Sequence, residues 1–130
     1  MFPEISTGQF LLRKIIAADQ SKIFEGLSHP AIIKYYGVSY TSMESTGAQM
    51  DFYNGLLKNE SGIWWAICYE NNPAELIGAC GFNDWHKDHK HLEIGYWLMP
   101  GKQGNGIMSK CIPLIIQYAF DILEVHRIVA

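Results

Sequence analysis

Cysteine is scarce in this chain, and positive charge is not in excess. Cys68, Cys80 and Cys111 are the only three, odd in number and widely spaced, and each lies in an apolar segment. That argues against a disulfide framework and against a thiolate zinc site, and it reads as small buried hydrophobes in a reducing, cytoplasmic compartment. Ten Lys and Arg against thirteen Asp and Glu leave a net charge of −3. With no basic run either, nucleic acid is not an expected partner, although a basic protein surface could be. No apolar stretch approaches membrane-spanning length, and no basic segment leads into an apolar core at the N-terminus, so neither a membrane span nor a secretion signal is expected. Repeats and low-complexity segments are also missing. What is present, 130 residues of which 48% are hydrophobic and 18% charged, suits one folded domain over residues 1–130.

Periodicity outlines the elements. Gln9 to Ile16 reads as a strand, and Asp19 to Leu27 as a helix with Ile23, Phe24 and Leu27 on one face, stopped by His29-Pro30. Residues 32–40 are aromatic and read as a loop or short helix. Ser45 to Leu57 is a second helix with Met50, Tyr53 and Leu57 on one face. Ile63 to Tyr69 and Leu76 to Phe82 make an antiparallel hairpin around Asn71-Asn72-Pro73. A further strand from Leu92 to Leu98 is followed by a helix from Gly106 to about Leu123, which contains Pro113 and should bend slightly there. His126 to Ala130 has the look of a strand beginning.

The central stretch is Leu92 to Met108, read as strand, glycine loop and helix start. Gly104 and Gly106 permit positive φ and bring backbone N–H groups close to an anion, and the helix behind them adds a positive dipole end. The expected ligand is a phosphorylated cofactor. A nucleoside-triphosphate loop would need a lysine where the helix opens Gly-Ile-Met-Ser, and a dinucleotide loop would need a third glycine at the position of Ser109. Both are excluded.

Gln103-Gly104-Asn105-Gly106-Ile107-Met108 resembles the pyrophosphate loop of the GNAT superfamily of N-acetyltransferases, which runs Gln/Arg-x-x-Gly-x-Gly/Ala. Glu93-Ile94-Gly95-Tyr96-Trp97-Leu98, Tyr118-Ala119-Phe120 and His126-Arg127-Ile128 look like the branch that acetylates ribosomal-protein N-termini. That branch usually has a bulky residue before Gly-x-Gly, where Gln103 stands, and a basic one between the glycines, where Asn105 stands. The resemblance implies an α/β (α+β) fold, with a mostly antiparallel sheet flanked by helices, and a chain that stops short of the family's last helix and C-terminal strands. It implies acetyl-coenzyme A as cosubstrate, no metal, and transfer of acetyl to a primary amine by direct attack within a ternary complex.

Site residues follow from that resemblance. Backbone groups around Trp97, Leu98 and Met99 would polarise the thioester, and Lys102, Gln103, Gly104, Asn105, Gly106, Ile107, Met108 and Ser109 would form the cofactor loop. Lys102 would act as a point charge, Asn105 through its backbone N–H, and Ser109 through its hydroxyl or as a helix cap. Tyr35 and Tyr36 would contact the acceptor. Glu93 is the candidate base, acting through an ordered water, and His91 a secondary proton relay on the same side of the strand. The acceptor is expected to be a protein N-terminus, with a small amine as the alternative. A non-catalytic remnant that binds coenzyme A or associates with itself through its unfinished sheet edge is the rival outside enzymes. The run His86-Lys87-Asp88-His89-Lys90-His91, with Asp84 before it, lacks a defined ligand spacing and reads as a solvated connection between strands.

Overall fold

The computed structural model describes residues 2–30, 42–102 and 104–129. Among these residues six strands form one sheet whose spatial order is the chain order: β1 (Ile5–Ser6), β2 (Phe10–Lys14), β3 (Ile63–Tyr69), β4 (Gly78–His86), β5 (His91–Leu98) and β6 (Arg127–Val129). Neighbouring strands are antiparallel except β5 and β6, which run parallel. That parallel pair needs a crossover, and helix α3 (Ile107–Asp121) supplies it. Helices α1 (Gln20–Leu27) and α2 (Gly47–Lys58) lie between β2 and β3 in the chain. The expected mixed fold, mostly antiparallel and flanked by helices, is present.

Alternation along the strands divides the core into two layers. Phe10 and Leu12 of β2, Trp65 and Ile67 of β3, Cys80 and Phe82 of β4, and Leu92 and Leu98 of β5 pack with Ile107, Cys111, Ile115 and Ala119, which repeat every four residues along α3. Trp64, Ala66, Cys68, Ala79, Trp97 and Met99 pack on the other face with Ile23 and Leu27 of α1 and with Met50, Tyr53 and Leu56 of α2. With helices on both faces, β3 buries residues on both sides, which is why its sequence reads as one continuous apolar run. Close approach is specified locally. A Cβ on Gly26 would stand 2.4 Å from the Trp97 ring, so α1 can lie on β5 only with glycine there. Trp97 Nε1 donates to the Tyr53 hydroxyl at 3.2 Å, which ties β5 to α2.

A buried ion pair fixes the corner between β2 and α1. Arg13 Nη1 and Nη2 donate to the two Asp19 carboxylate oxygens at 2.9 and 2.8 Å, and Arg13 Nε donates to the Pro73 carbonyl at 2.7 Å. Asp19 also accepts the Ile16 N–H at 2.8 Å. Hydrogen bonding to Asp19 raises the pKa of Arg13 further, so the guanidinium stays charged.

Several elements differ from the sequence reading. The two-residue β1 was not expected, being too short to show a period. The first long strand covers only Phe10–Lys14, and Ile16 is exposed at its exit. α2 buries Met50 and Tyr53 as expected, with Leu56 in place of Leu57. The last helix ends at Asp121, which leaves Ile122 63% exposed and off the expected apolar face. β4 continues to His86 and pairs with His91, so the connection is four residues, Lys87 to Lys90. A register shift between Asn83 and His86, with Asp84 at φ +52°, makes this extension possible. The segment read as a loop or short helix, 32–40, lies outside the described residues.

Candidate functional site

β5 carries the site on its two sides and on its edge. His91, Glu93, Gly95, Trp97 and Met99 share the α1/α2 face, and Leu92, Ile94, Tyr96 and Leu98 share the α3 face. Glu93 is exposed on the α1/α2 face, opposite Asn83 of β4 and Val129 of β6. The sequence left its face open, and the register assigns it. Pairing with β6 covers only His91 to Glu93. Met99 N–H donates to the Ile77 carbonyl at 2.9 Å, on the β4 side, and Lys90 O accepts from the β6 side. By alternation, the backbone groups of Tyr96 and Leu98 point to the edge that β6 leaves uncovered. Of Trp97, Leu98 and Met99, therefore, only Leu98 turns its N–H toward that edge. Tyr96 stands beside it, 54% exposed, an aromatic residue that sequence reasoning passed over.

The glycine loop follows. Met99, Pro100, Gly101 and Lys102 form a turn closed by Lys102 N–H to the Met99 carbonyl at 3.1 Å, with proline second and positive-φ glycine third, the arrangement of a type II turn. Gly104 at φ +81° and Gly106 at φ +75° bring the chain into α3, with Gly106 as the N-cap residue. Apart from their chain neighbours, no atom of the described residues lies within 4 Å of where a Cβ on Gly101 or Gly104 would stand, which leaves room for a ligand beside the loop. The N–H groups of the first turn of α3 have no helical carbonyl before them. Open space, positive-φ glycines and a helix N-terminus suit a phosphate group.

Side chains in this loop behave less uniformly than expected. Asn105 Nδ2 reaches back to the Lys102 carbonyl at 3.3 Å and to that of Gly101 at 3.5 Å, so it braces the loop as well as offering its N–H. Ser109 is not the helix cap. Its hydroxyl donates to the Gly106 carbonyl at 2.9 Å, because a left-handed glycine already occupies the capping position. Ile107, Trp97, Leu98 and Met99 commit their side chains to the core and can offer a ligand only backbone. Lys102 Nζ lies 5.2 Å from the centre of the Tyr69 ring. Lys110, which the sequence reading missed, donates to Gln9 at 2.6 Å and stands 5.9 Å from the Phe10 ring, which packs 5.4 Å from the Tyr69 ring. Its position in the first turn after Gly-x-Gly was the available signal. Gln103, Tyr35 and Tyr36 lie outside the described residues.

The three imidazoles of the hairpin gather at the other end of β5. Ring centres of His86 and His91 are 4.9 Å apart, and His89 lies 6.3 and 6.1 Å from them. Desolvation lowers the pKa of His91, helped by the nearby charges of His86, Arg127 and His89, and only Asp84 opposes the shift. As they stand, no three His, Cys, Asp or Glu side chains among the described residues converge on a metal position. A separate cleft of about 290 Å³ lies between the β2–α1 corner and α2, lined by Lys14, Ile16, Gln20, Met50 and Asn54 among others, and it includes no residue of the glycine loop. Among the described residues, no helix is long and apolar enough to cross a membrane.

Comparison with known proteins agrees with this arrangement. The family described as acetyltransferase (GNAT) domain matches residues 9–130. The chain is 33% identical over 129 residues to the uncharacterized N-acetyltransferase YoaA of Bacillus subtilis, covering 98% of this chain and 72% of that protein. It is 40% identical over 55 residues to the ribosomal-protein-serine acetyltransferase of Escherichia coli, covering 42% of this chain and 31% of that one. The fold is shared with the spermidine N-acetyltransferase of Vibrio cholerae, solved in complex with CoA and spermine, at a TM-score of 0.79 and 22% identity over 94% of this chain and 70% of that chain.

Proposed function

Because the chain belongs to the GNAT acetyltransferase family, we propose that it transfers acetyl from acetyl-coenzyme A to a primary amine, with a protein N-terminus as acceptor. The observation that carries this reading is the arrangement along β5. The glycine loop lies just beyond one end of the strand, and Glu93 stands five residues before Leu98, about 16–17 Å away at roughly 3.3 Å per residue. A ligand using both needs a phosphate at one end and a reactive group at the end of a long arm, which is the shape of acetyl-coenzyme A. The N–H groups of the first turn of α3 hold the pyrophosphate, and Lys102 and Lys110 add positive charge beside it.

In the reaction the neutral amine attacks the thioester carbon, and the C–S bond breaks as the amide forms. The N–H of Tyr96, the open-edge donor nearer to Glu93, donates to the carbonyl oxygen as negative charge grows there, and that of Leu98 holds the arm between this point and the loop. Glu93 accepts the amine proton through a chain of waters, with His91, two residues away on the same face, as the secondary relay. Positioning both reactants in one complex supplies much of the rate. The partial identity to a ribosomal-protein-serine acetyltransferase supports a peptide α-amine as acceptor. A polyamine is the second reading, supported by the fold shared with a spermidine acetyltransferase. The three buried free thiols support a reducing, cytoplasmic setting.

Calorimetric titration of acetyl-coenzyme A into the 130-residue chain, with the oligomeric state recorded, tests the cofactor half. Micromolar binding that Gly104→Glu abolishes is expected, and no binding by the folded chain would refute the reading for this chain. A panel of peptide α-amines and polyamines then tests the acceptor. Glu93→Gln should lower kcat by about 100-fold or more and leave acetyl-coenzyme A affinity unchanged.

A further inference from the structure

We infer that His86, His89 and His91 form a surface site for a divalent transition-metal ion of the zinc class. The site lies at the opposite end of β5 from the glycine loop and shares His91 with the proton relay proposed above. Sequence spacing gave no reason to expect it, because the short turn and the register shift do the work that a motif would otherwise do. His86 and His91 are a cross-strand pair, so their Cα atoms are fixed by the β4–β5 ladder and their side chains rise from the same face.

Two imidazoles on one tetrahedral ion, at a Zn–N distance of about 2.0–2.1 Å, put their ring centres about 5 Å apart. His86 and His91 already meet this at 4.9 Å. The His89 ring centre lies about 1 Å beyond that spacing from both, and no three ligating side chains of the described residues converge as they stand. His89 is exposed in the four-residue turn, and binding requires its side chain to turn toward the pair. Imidazole is the preferred nitrogen ligand of zinc, copper and nickel ions, and water completes the coordination shell.

The charges around the cluster are mixed. Asp84 and Asp88 lie in the same hairpin, and Arg127 of β6 opposes a cation there. Lys87 is drawn away, its Nζ donating to Glu60 at 3.0 Å and resting over the Trp85 ring. A bound ion would link β4 to β5 across the turn and hold the imidazole of His91, so that it could no longer relay protons.

The test is titration of zinc sulfate, and separately nickel sulfate, into the metal-free chain followed by calorimetry. The variants are His86→Gln, His89→Gln and His91→Gln, with His29→Gln as the control. One saturable ion per chain is expected, weakened at least about 10-fold by each of the three substitutions and unchanged by His29→Gln. Thermal unfolding of the metal-free variants verifies that each is folded, and zinc should raise the midpoint of the parent chain and not that of His86→Gln/His91→Gln. Equal binding by that double variant, or full affinity in His89→Gln, would overturn the three-histidine site. So would a loss in His29→Gln as large as in the hairpin variants.

Discussion

Replacing Gly106 by alanine tests the glycine cradle in a way that separates backbone conformation from bulk. Gly106 holds φ +75° as the N-cap of α3, and an added Cβ would meet nothing closer than Ser109 Oγ at 3.5 Å, an ordinary van der Waals contact. The cost of alanine is therefore conformational, about 1–2 kcal/mol for an L-residue held in the left-handed region. That energy must appear somewhere. If the loop keeps its shape, stability falls by about 1–2 kcal/mol and acetyl-coenzyme A affinity is unchanged. If the loop relaxes to escape the strain, stability is retained and the same energy is lost from binding, a factor of about 5–30. Denaturant unfolding and calorimetric titration on one preparation measure both terms, and their sum should match the conformational cost. Asparagine, which tolerates the left-handed region, is the control of greater bulk, and Gly106→Asn should lose less than Gly106→Ala. A Gly106→Ala chain with unaltered stability and affinity would refute the argument, as would Asn losing as much as Ala.

Three further outcomes are expected. Breaking the buried pair with Arg13→Ala leaves Asp19 uncompensated and should cost about 3–5 kcal/mol in denaturant unfolding, whereas Arg13→Met with Asp19→Leu should recover much of the loss. Gly81→Ala would put a Cβ 2.3 Å from the Ile63 carbonyl and 2.5 Å from the Trp64 Cα, both backbone atoms that no rotamer change can move, so about 3 kcal/mol or more should be lost, read as a lower thermal midpoint or as insoluble expression. Burial pushes the Cys111 thiol up to about 11, and it raises Cys80 and Cys68 as well. A folded pKa above the unfolded value means that this contribution is complete below about pH 9 and lost as pH rises toward 11, so thermal midpoints should fall over that interval, less steeply in Cys111→Ala.

The helices, the β3–β4 hairpin and the glycine loop were legible because each writes its own pattern. Ile107, Cys111 and Ile115 repeat at helical spacing, and Gly-x-Gly after Pro-Gly has few other uses. Features that depend on what lies opposite were not legible. Glu93 could have faced either helix layer, because alternation gives relative sides and only the pairing of Asn83 with Glu93 gives the absolute one. Lys110 and Lys102 stand over neighbouring rings because Phe10 pairs with Tyr69, a contact made between residues distant in sequence. Arg13 reads as an ordinary strand residue, and its burial follows from Asp19 folding back at the end of β2. The histidine run was read as a long solvated connection because a left-handed Asp84, a conformation uncommon for a residue with a Cβ, is what prolongs the strand.

The position of that irregularity explains how one strand can serve two purposes. From Gly78 to Asn83 the β4–β5 register is continuous, and it is fixed by contacts that allow no slip, including Gly81 over the Trp64 backbone and Trp97 against Gly26 and Tyr53. A one-residue shift there would carry Glu93 to the α3 face and the N–H groups of Tyr96 and Leu98 away from the open edge, removing base and backbone donors together. The bulge lies immediately beyond Asn83, on the hairpin side. Changes in the histidine turn are taken up at Asp84 before they reach Glu93. The hairpin is thus free to vary in length and composition, whereas the stretch from Glu93 to Met99 is held in one register by both layers of the core.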